Sequence, residues 1–232
     1  MKTSLSLFLV LCSLSAFTQR IHIGSQVGLV ASTTTGGSSA ANKSYINAPT
    51  VGLDLDYKIK PDLMFSTGLS LRRKGFAMNW QMINDTGAVI ANVEQYFRTN
   101  YIAIPARIGL IHDKKLVMNA NIGLTASYLL NGYTEVREIY NAQTEPGGIN
   151  NDFVKDMRRL DLCMAYEMSL GYKVVDRFIP YLSFSIERSI LSTSKVNPGF
   201  KDGEYNKSFI LQFGINYIVQ QKKEPRPVPT TN

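Results

Sequence analysis

Cysteine is scarce in this 232-residue chain: it has two, Cys12 and Cys163. Cys12 falls in an apolar N-terminal leader, so a single thiol is left, which excludes an intramolecular disulfide and redox chemistry with a resolving partner. Cys163 then reads as a small residue within a strand. Histidine is equally rare, with His22 and His112 alone. Hydrolytic sites built on a His beside a Ser or a carboxylate need that base close to its nucleophile, whereas both histidines are expected solvated at the turn end of the fold. No enzymatic role is expected. The chain has no P-loop, zinc-ligand spacing or EF-hand loop, and no cofactor or metal is implied. Beyond the leader, no apolar run reaches the roughly 18 residues a membrane-spanning helix requires. The formal charge of +7 becomes +6 when Lys2 leaves with the leader, too modest an excess to point to nucleic acid.

The leader has the anatomy of an export signal. Lys2 supplies the positive end, residues 5–14 the apolar stretch, and Ala16-Phe17-Thr18 small residues at the cleavage positions. Cleavage is expected before Gln19, so residues 1–18 form a signal peptide. Cys12 follows Leu11 where lipoprotein processing wants a small residue, which argues against lipidation. Removing 18 of 232 residues leaves 214, suited to one domain over residues 19–219. Residues 220–232, rich in Lys and Pro, read as a disordered periplasmic tail.

What the mature chain has in quantity is alternation. Ile23, Val27 and Leu29 share one strand face against Gly24, Gln26 and Gly28. Val51, Leu53, Leu55, Tyr57 and Ile59 alternate with Gly52, Asp54, Asp56 and Lys58. Six further segments follow the same rule, starting near Leu63, Ile102, Leu116, Leu160, Phe178 and Ser208. Their connections run long, short, long, short. Tight turns are expected at residues 60–62, 112–115 and 175–177, and long loops at 32–48, 77–94, 131–155 and 190–206. That rhythm predicts an all-β, eight-stranded antiparallel up-and-down transmembrane barrel, with a polar interior, short periplasmic turns, long extracellular loops and both termini periplasmic.

Alternation by itself leaves open which face is outside. A periplasmic lipocalin-like barrel would turn its apolar faces inward around a lipid ligand, whereas a membrane barrel turns them to the bilayer. The second arrangement is favoured by the polar face, which carries Asp54, Asp56, Arg72, Arg107, Asp161, Glu167 and Glu187, enough to form a paired ionic plug. Aromatics at both levels agree with it: Tyr57, Tyr172 and Tyr217 near the turns, Tyr96, Tyr128 and Phe209 near the loops. A plugged lumen would leave little room for a small-solute pore.

Residues 100–110, Asn-Tyr-Ile-Ala-Ile-Pro-Ala-Arg-Ile-Gly-Leu, resemble the fourth strand of the small outer-membrane β-barrel proteins of Bacteroidetes that include PorT-type members, with Ala103 where an acidic residue is usual. Residues 206–217 are similar to the last strand of that family. The resemblance implies insertion by the barrel-assembly machinery and a structural or interaction role, with a link to protein secretion for PorT-type members and an unidentified protein partner at the loops or turns.

One constellation stands out at the loop ends of the strands: Arg72, Arg73, Lys74, Arg98, Arg158, Arg159, Arg188 and Lys207. At that height, outward-pointing Arg73, Arg98, Arg158 and Arg188 would meet lipopolysaccharide phosphates, to which arginine offers two parallel hydrogen bonds. The alternative is a hydrated rim, with some of these cations turned inward to the plug.

Overall fold

The computed structural model describes residues 21–36, 43–140, 143–150, 152–175, 177–193 and 203–219. The expected signal peptide and C-terminal tail lie outside the described residues, as do residues 37–42 of the first expected loop and most of the fourth.

Among the described residues there are ten strands: β1 (Ile21–Thr35), β2 (Lys43–Ser44), β3 (Ile46–Lys60), β4 (Leu63–Ile83), β5 (Val89–Asp113), β6 (Leu116–Tyr140), β7 (Gln143–Asn150), β8 (Leu160–Tyr172), β9 (Phe178–Ser189) and β10 (Tyr205–Val219). The accessory strands β2 and β7 pair only with β4 and β6. The other eight form a closed antiparallel ring in which each strand pairs with its neighbours in sequence and β1 pairs with β10. Closure leaves no open edge in the wall, which a strand assembly in hydrocarbon cannot tolerate because nothing there hydrogen-bonds a bare amide.

The register determines the barrel's shape. Pairing leads from Ile21 to Tyr57, Phe65, Ile108, Ile122, Tyr166, Ile186 and Phe209, then returns to β1 at Ala31, ten residues along from its start. Eight strands with this stagger tilt by about 40° and enclose a backbone cylinder about 16 Å across. Allowing for the climb, the turns after Lys60, Asp113 and Tyr172 fall level with Ile21 and Val219. At this level sit Tyr57, Tyr172, Phe178 and Tyr217. Tyr128 and Phe209 lie about ten residues higher, about 25 Å along the axis, the height of a lipid-facing band.

Between these aromatic levels the wall is apolar outside and polar inside. Leu53, Leu110 and Met168 are each more than 60% exposed, whereas Arg72, Lys74 and Glu187 are at most 2% exposed. A ligand-binding barrel of lipocalin type has the opposite polarity, so that alternative is excluded. The interior is not polar throughout. At the turn end Met64, Ile111, Val117, Ile179 and Ile218 form a buried apolar floor, and Val117, an exception to the alternation in sequence, belongs to it. His22, expected solvated, is 2% exposed; it lies within β1, paired with Asp56 and Ile218, because the strand starts earlier than its alternation suggested. His112 is exposed.

The long connections differ most from expectation. Residues 77–94 are a continuous β-hairpin, β4 running to Ile83 and β5 starting at Val89. Asn84 Oδ1 closes its tip by accepting hydrogen bonds from the Thr86 and Ala88 amides at 3.1 and 2.8 Å, and Gly87 supplies a φ of 81°. Residues 131–155 hold the upper part of β6, all of β7 and most of a 3-10 turn at Asp152–Asp156. β1 extends to Thr35 and β3 starts at Ile46, which shortens the first loop. In each case polar, weakly alternating residues form strands because a neighbouring strand already supplies a hydrogen-bonding edge, which sequence patterning does not report.

Replacing Leu53, which faces outward midway between the two aromatic levels, with Arg is expected to cost about 2–4 kcal/mol of stability in a lipid bilayer. Urea unfolding in vesicles measures this, and a change near zero would mean that this face does not meet hydrocarbon.

Candidate functional site

The seven residues read as a plug all project inward, because each occupies the parity opposite to the exposed apolar side chains of its strand. They group in two tiers. In the upper tier, Glu187 on β9 receives Arg72 Nη1 from β4 at 2.6 Å, Thr125 Oγ1 from β6 at 2.9 Å and Lys74 Nζ at 3.6 Å. Arg72 Nε donates to Ser70 Oγ at 2.8 Å. Asp161 on β8 accepts from Ser189 Oγ at 2.6 Å, Asn206 Nδ2 at 2.9 Å and Lys74 Nζ at 3.3 Å.

In the lower tier, Arg107 on β5 bonds Glu167 on β8, whose other oxygen accepts from Asn121 Nδ2 at 3.1 Å. Asp54 accepts from Gln26 Nε2 at 2.7 Å and from the Tyr181 hydroxyl. Asp56 accepts from Asn216 Nδ2 at 3.4 Å. Arg107 Nη2 reaches Glu187 at 3.5 Å and links the tiers. Buried ions are tolerated only when paired and hydrogen-bonded, and here three cations face five carboxylates, with Asp54 and Asp56 held by neutral donors. The cavity left between Asp54, Asp56, Arg107 and Glu167 is about 30 Å³, room for a water or two. Near the mouth Ser32 Oγ donates to the Gly75 carbonyl at 3.1 Å and accepts from its amide at 2.8 Å, which draws β1 and β4 together above the plug.

Lys74 is a correction to the sequence reading, which set it on the rim. It is wholly buried, 3.3 Å from Asp161, 3.5 Å from Cys163 Sγ and 5.5 Å from the centre of the Tyr101 ring. Carrying the β4 alternation one step past Arg72 would have placed it there. Tyr181, the donor to Asp54, was legible only as an inward position, since its partner lies 127 residues away.

The outer cations form a belt above the apolar band. Arg188 on β9 is exposed and stands directly opposite Lys207 on β10. Lys207 lies 5.2 Å from the centre of the Phe209 ring. Among the described residues no carboxylate pairs with either. Like charges directly opposite on antiparallel strands repel. Arg158 and Arg159 are exposed nearby, with Arg159 Nη1 donating to the Tyr128 hydroxyl at 3.2 Å. Arg73 and Arg98 are half-buried and already engaged: Arg73 Nε donates to Asn100 at 2.9 Å, and Arg98 lies 3.4 Å from Glu135 and 5.1 Å from the Tyr96 ring centre.

A family model described as outer membrane protein beta-barrel domain matches residues 14–190. Among solved structures, the chain is similar to the Neisserial surface protein A at 9% identity, covering 85% of this chain and 96% of that one with a TM-score of 0.40. The attachment invasion locus protein Ail of Yersinia pestis, solved with the heparin analogue sucrose octasulfate, is 14% identical over 88% of this chain and 100% of its own, with a TM-score of 0.39. The outer membrane protein OprG of Pseudomonas aeruginosa is 9% identical over 88% and 97%, also with a TM-score of 0.39. No curated protein matches the chain.

Replacing Glu187 with Ala leaves Arg72 without a carboxylate and removes one of two carboxylate partners from each of Lys74 and Arg107, and is expected to cost about 3–5 kcal/mol. Equilibrium unfolding of the refolded barrel measures this; a loss under about 1 kcal/mol would show that the upper tier does not carry the fold.

Proposed function

The chain belongs to the outer membrane protein β-barrel domain family, whose place is the outer membrane, and we propose that it acts there as a non-catalytic structural and interaction protein that grips lipopolysaccharide. The observation that carries this reading is outward-facing Arg188 and Lys207, which stand opposite one another just above the apolar band with no carboxylate partner among the described residues. Lipid phosphate at that height neutralises both cations and accepts two hydrogen bonds from the guanidinium. Exposed Arg158 extends the contact, while Arg73 and Arg98, tethered by Asn100 and Glu135, shape its far side.

Several finer assignments accompany this reading. Residues 1–18 direct export and are removed, the barrel-assembly machinery inserts the product, and the turn end with both termini faces the periplasm. The projecting β4–β5 and β6–β7 hairpins offer backbone surfaces to a protein partner outside. A PorT-like part in supporting secretion, in a Bacteroidetes envelope, rests on the strand-four resemblance. A conducting pore is disfavoured by an interior whose central cavity is only about 30 Å³.

Charge-removing Gln substitutions at Arg188 and Lys207 together are expected to reduce co-purifying lipopolysaccharide roughly tenfold, the worth of one or two charge-assisted hydrogen bonds. Circular dichroism serves as the folding control. Wild-type lipid retention in a folded double variant overturns the proposal.

A further inference from the structure

A second feature of the outer wall lies at the opposite end of the barrel and is independent of the lipopolysaccharide reading. On the membrane-facing surface a groove of about 590 Å³ runs over Ala120, bounded by Leu63, Leu110, Met168, Tyr166 and Phe184. It exists because of register. Pairing aligns Leu63, Leu110, Ala120, Met168 and Phe184 across five adjacent strands, and the one methyl side chain in that row leaves a trough between long neighbours.

The turn below the trough, reached along β6 from Ala120 past the exposed Met118 and Leu116, is basic. Lys114 and Lys115 form the β5–β6 turn and are both exposed. Lys115 Nζ lies 5.5 Å from the centre of the Tyr172 ring, and the Lys115 carbonyl accepts the Lys173 amide at 2.9 Å, which staples this turn to the end of β8. Asp113, the carboxylate next to this turn in sequence, is bonded to Lys58 and Lys173.

We propose that this trough and turn together form a binding site for one anionic glycerophospholipid of the turn-side leaflet. An acyl chain lies over Ala120 between Leu110 and Met168, and the phosphate headgroup meets Lys114 and Lys115 at the level of Tyr172. The charge of the turn argues for an anionic headgroup over a zwitterionic one, and continuity of the groove with the apolar band argues for a membrane lipid over a protein partner. In the orientation proposed above, this leaflet is the periplasmic one; the site itself does not depend on that orientation.

The test is native mass spectrometry of the full chain equilibrated in mixed micelles of phosphatidylglycerol and phosphatidylcholine. One phosphatidylglycerol is expected to be retained in preference to phosphatidylcholine, and replacing Lys114 and Lys115 with Gln is expected to weaken that preference about fivefold per lysine. Ala120→Leu fills the trough and is expected to reduce retention of both lipids; Ala120→Met serves if the Leu variant does not refold. Lipopolysaccharide co-purification with the lysine variant is expected to stay at the wild-type level, so loss of lipopolysaccharide binding and loss of this site are read separately. Equal retention of the two lipids by the wild type, or wild-type retention by the lysine variant, overturns the proposal.

Discussion

Everything in this molecule follows from the closure of β1 onto β10. In hydrocarbon an unpaired amide has no water to turn to, and the fifteen residue pairs from Ile21–Val219 to Thr35–Tyr205 remove the two edges that an open sheet would expose. Closure with a stagger of ten residues then sets the tilt, and the tilt sets a cylinder too wide to be filled by small side chains.

The ionic interior answers that geometry. Long side chains from opposite walls are needed to fill the lumen, and in a barrel whose exterior must be apolar the inward positions are where charge can be kept. Arg72, Lys74 and Arg107 reach across to Glu187, Asp161 and Glu167, so each pair crosslinks strands that are not neighbours in the wall. The network resists slippage as well as filling space: a two-residue shift of one strand would keep every side chain on its proper face but would separate these partners. The apolar floor beneath it, from Met64 to Ile218, completes the packing where the wall meets the turns.

The outer surface is organised by the same two levels. Aromatics mark the edges of the apolar band, and cations stand beyond each edge: Lys115 beside Tyr172 at the turns, Lys207 beside Phe209 and Arg159 beside Tyr128 at the loops. Amphipathic rings and flexible basic side chains share the boundary because each has an apolar part to bury and a polar end to keep wet. Such placement makes both rims suited to lipid phosphate, whereas the projecting hairpins rise clear of the lipid and are free for other contacts.

Alternation of period two made the barrel legible in the chain, since it assigns Leu53 and Asp54, or Ile186 and Glu187, to opposite faces whatever the partner strand. β8 and β9 match their expected ranges because both faces of those segments are strongly patterned. The same rule carried one step further would have put Lys74 inside, and a wider reading of β1 would have taken in His22. The hairpins at residues 77–94 and 131–155 were not legible, because their strands are held by edges that other strands offer and not by their own pattern. Sequence by itself determined the faces, the turn positions and the polarity of the two surfaces, which are local consequences of a pleated chain. Only the tertiary structure decided that Arg72 meets Glu187 across 115 residues, that Arg188 faces Lys207, and that Ala120 lies in a trough. Those depend on the stagger accumulated around the whole ring, and no local stretch of chain encodes it.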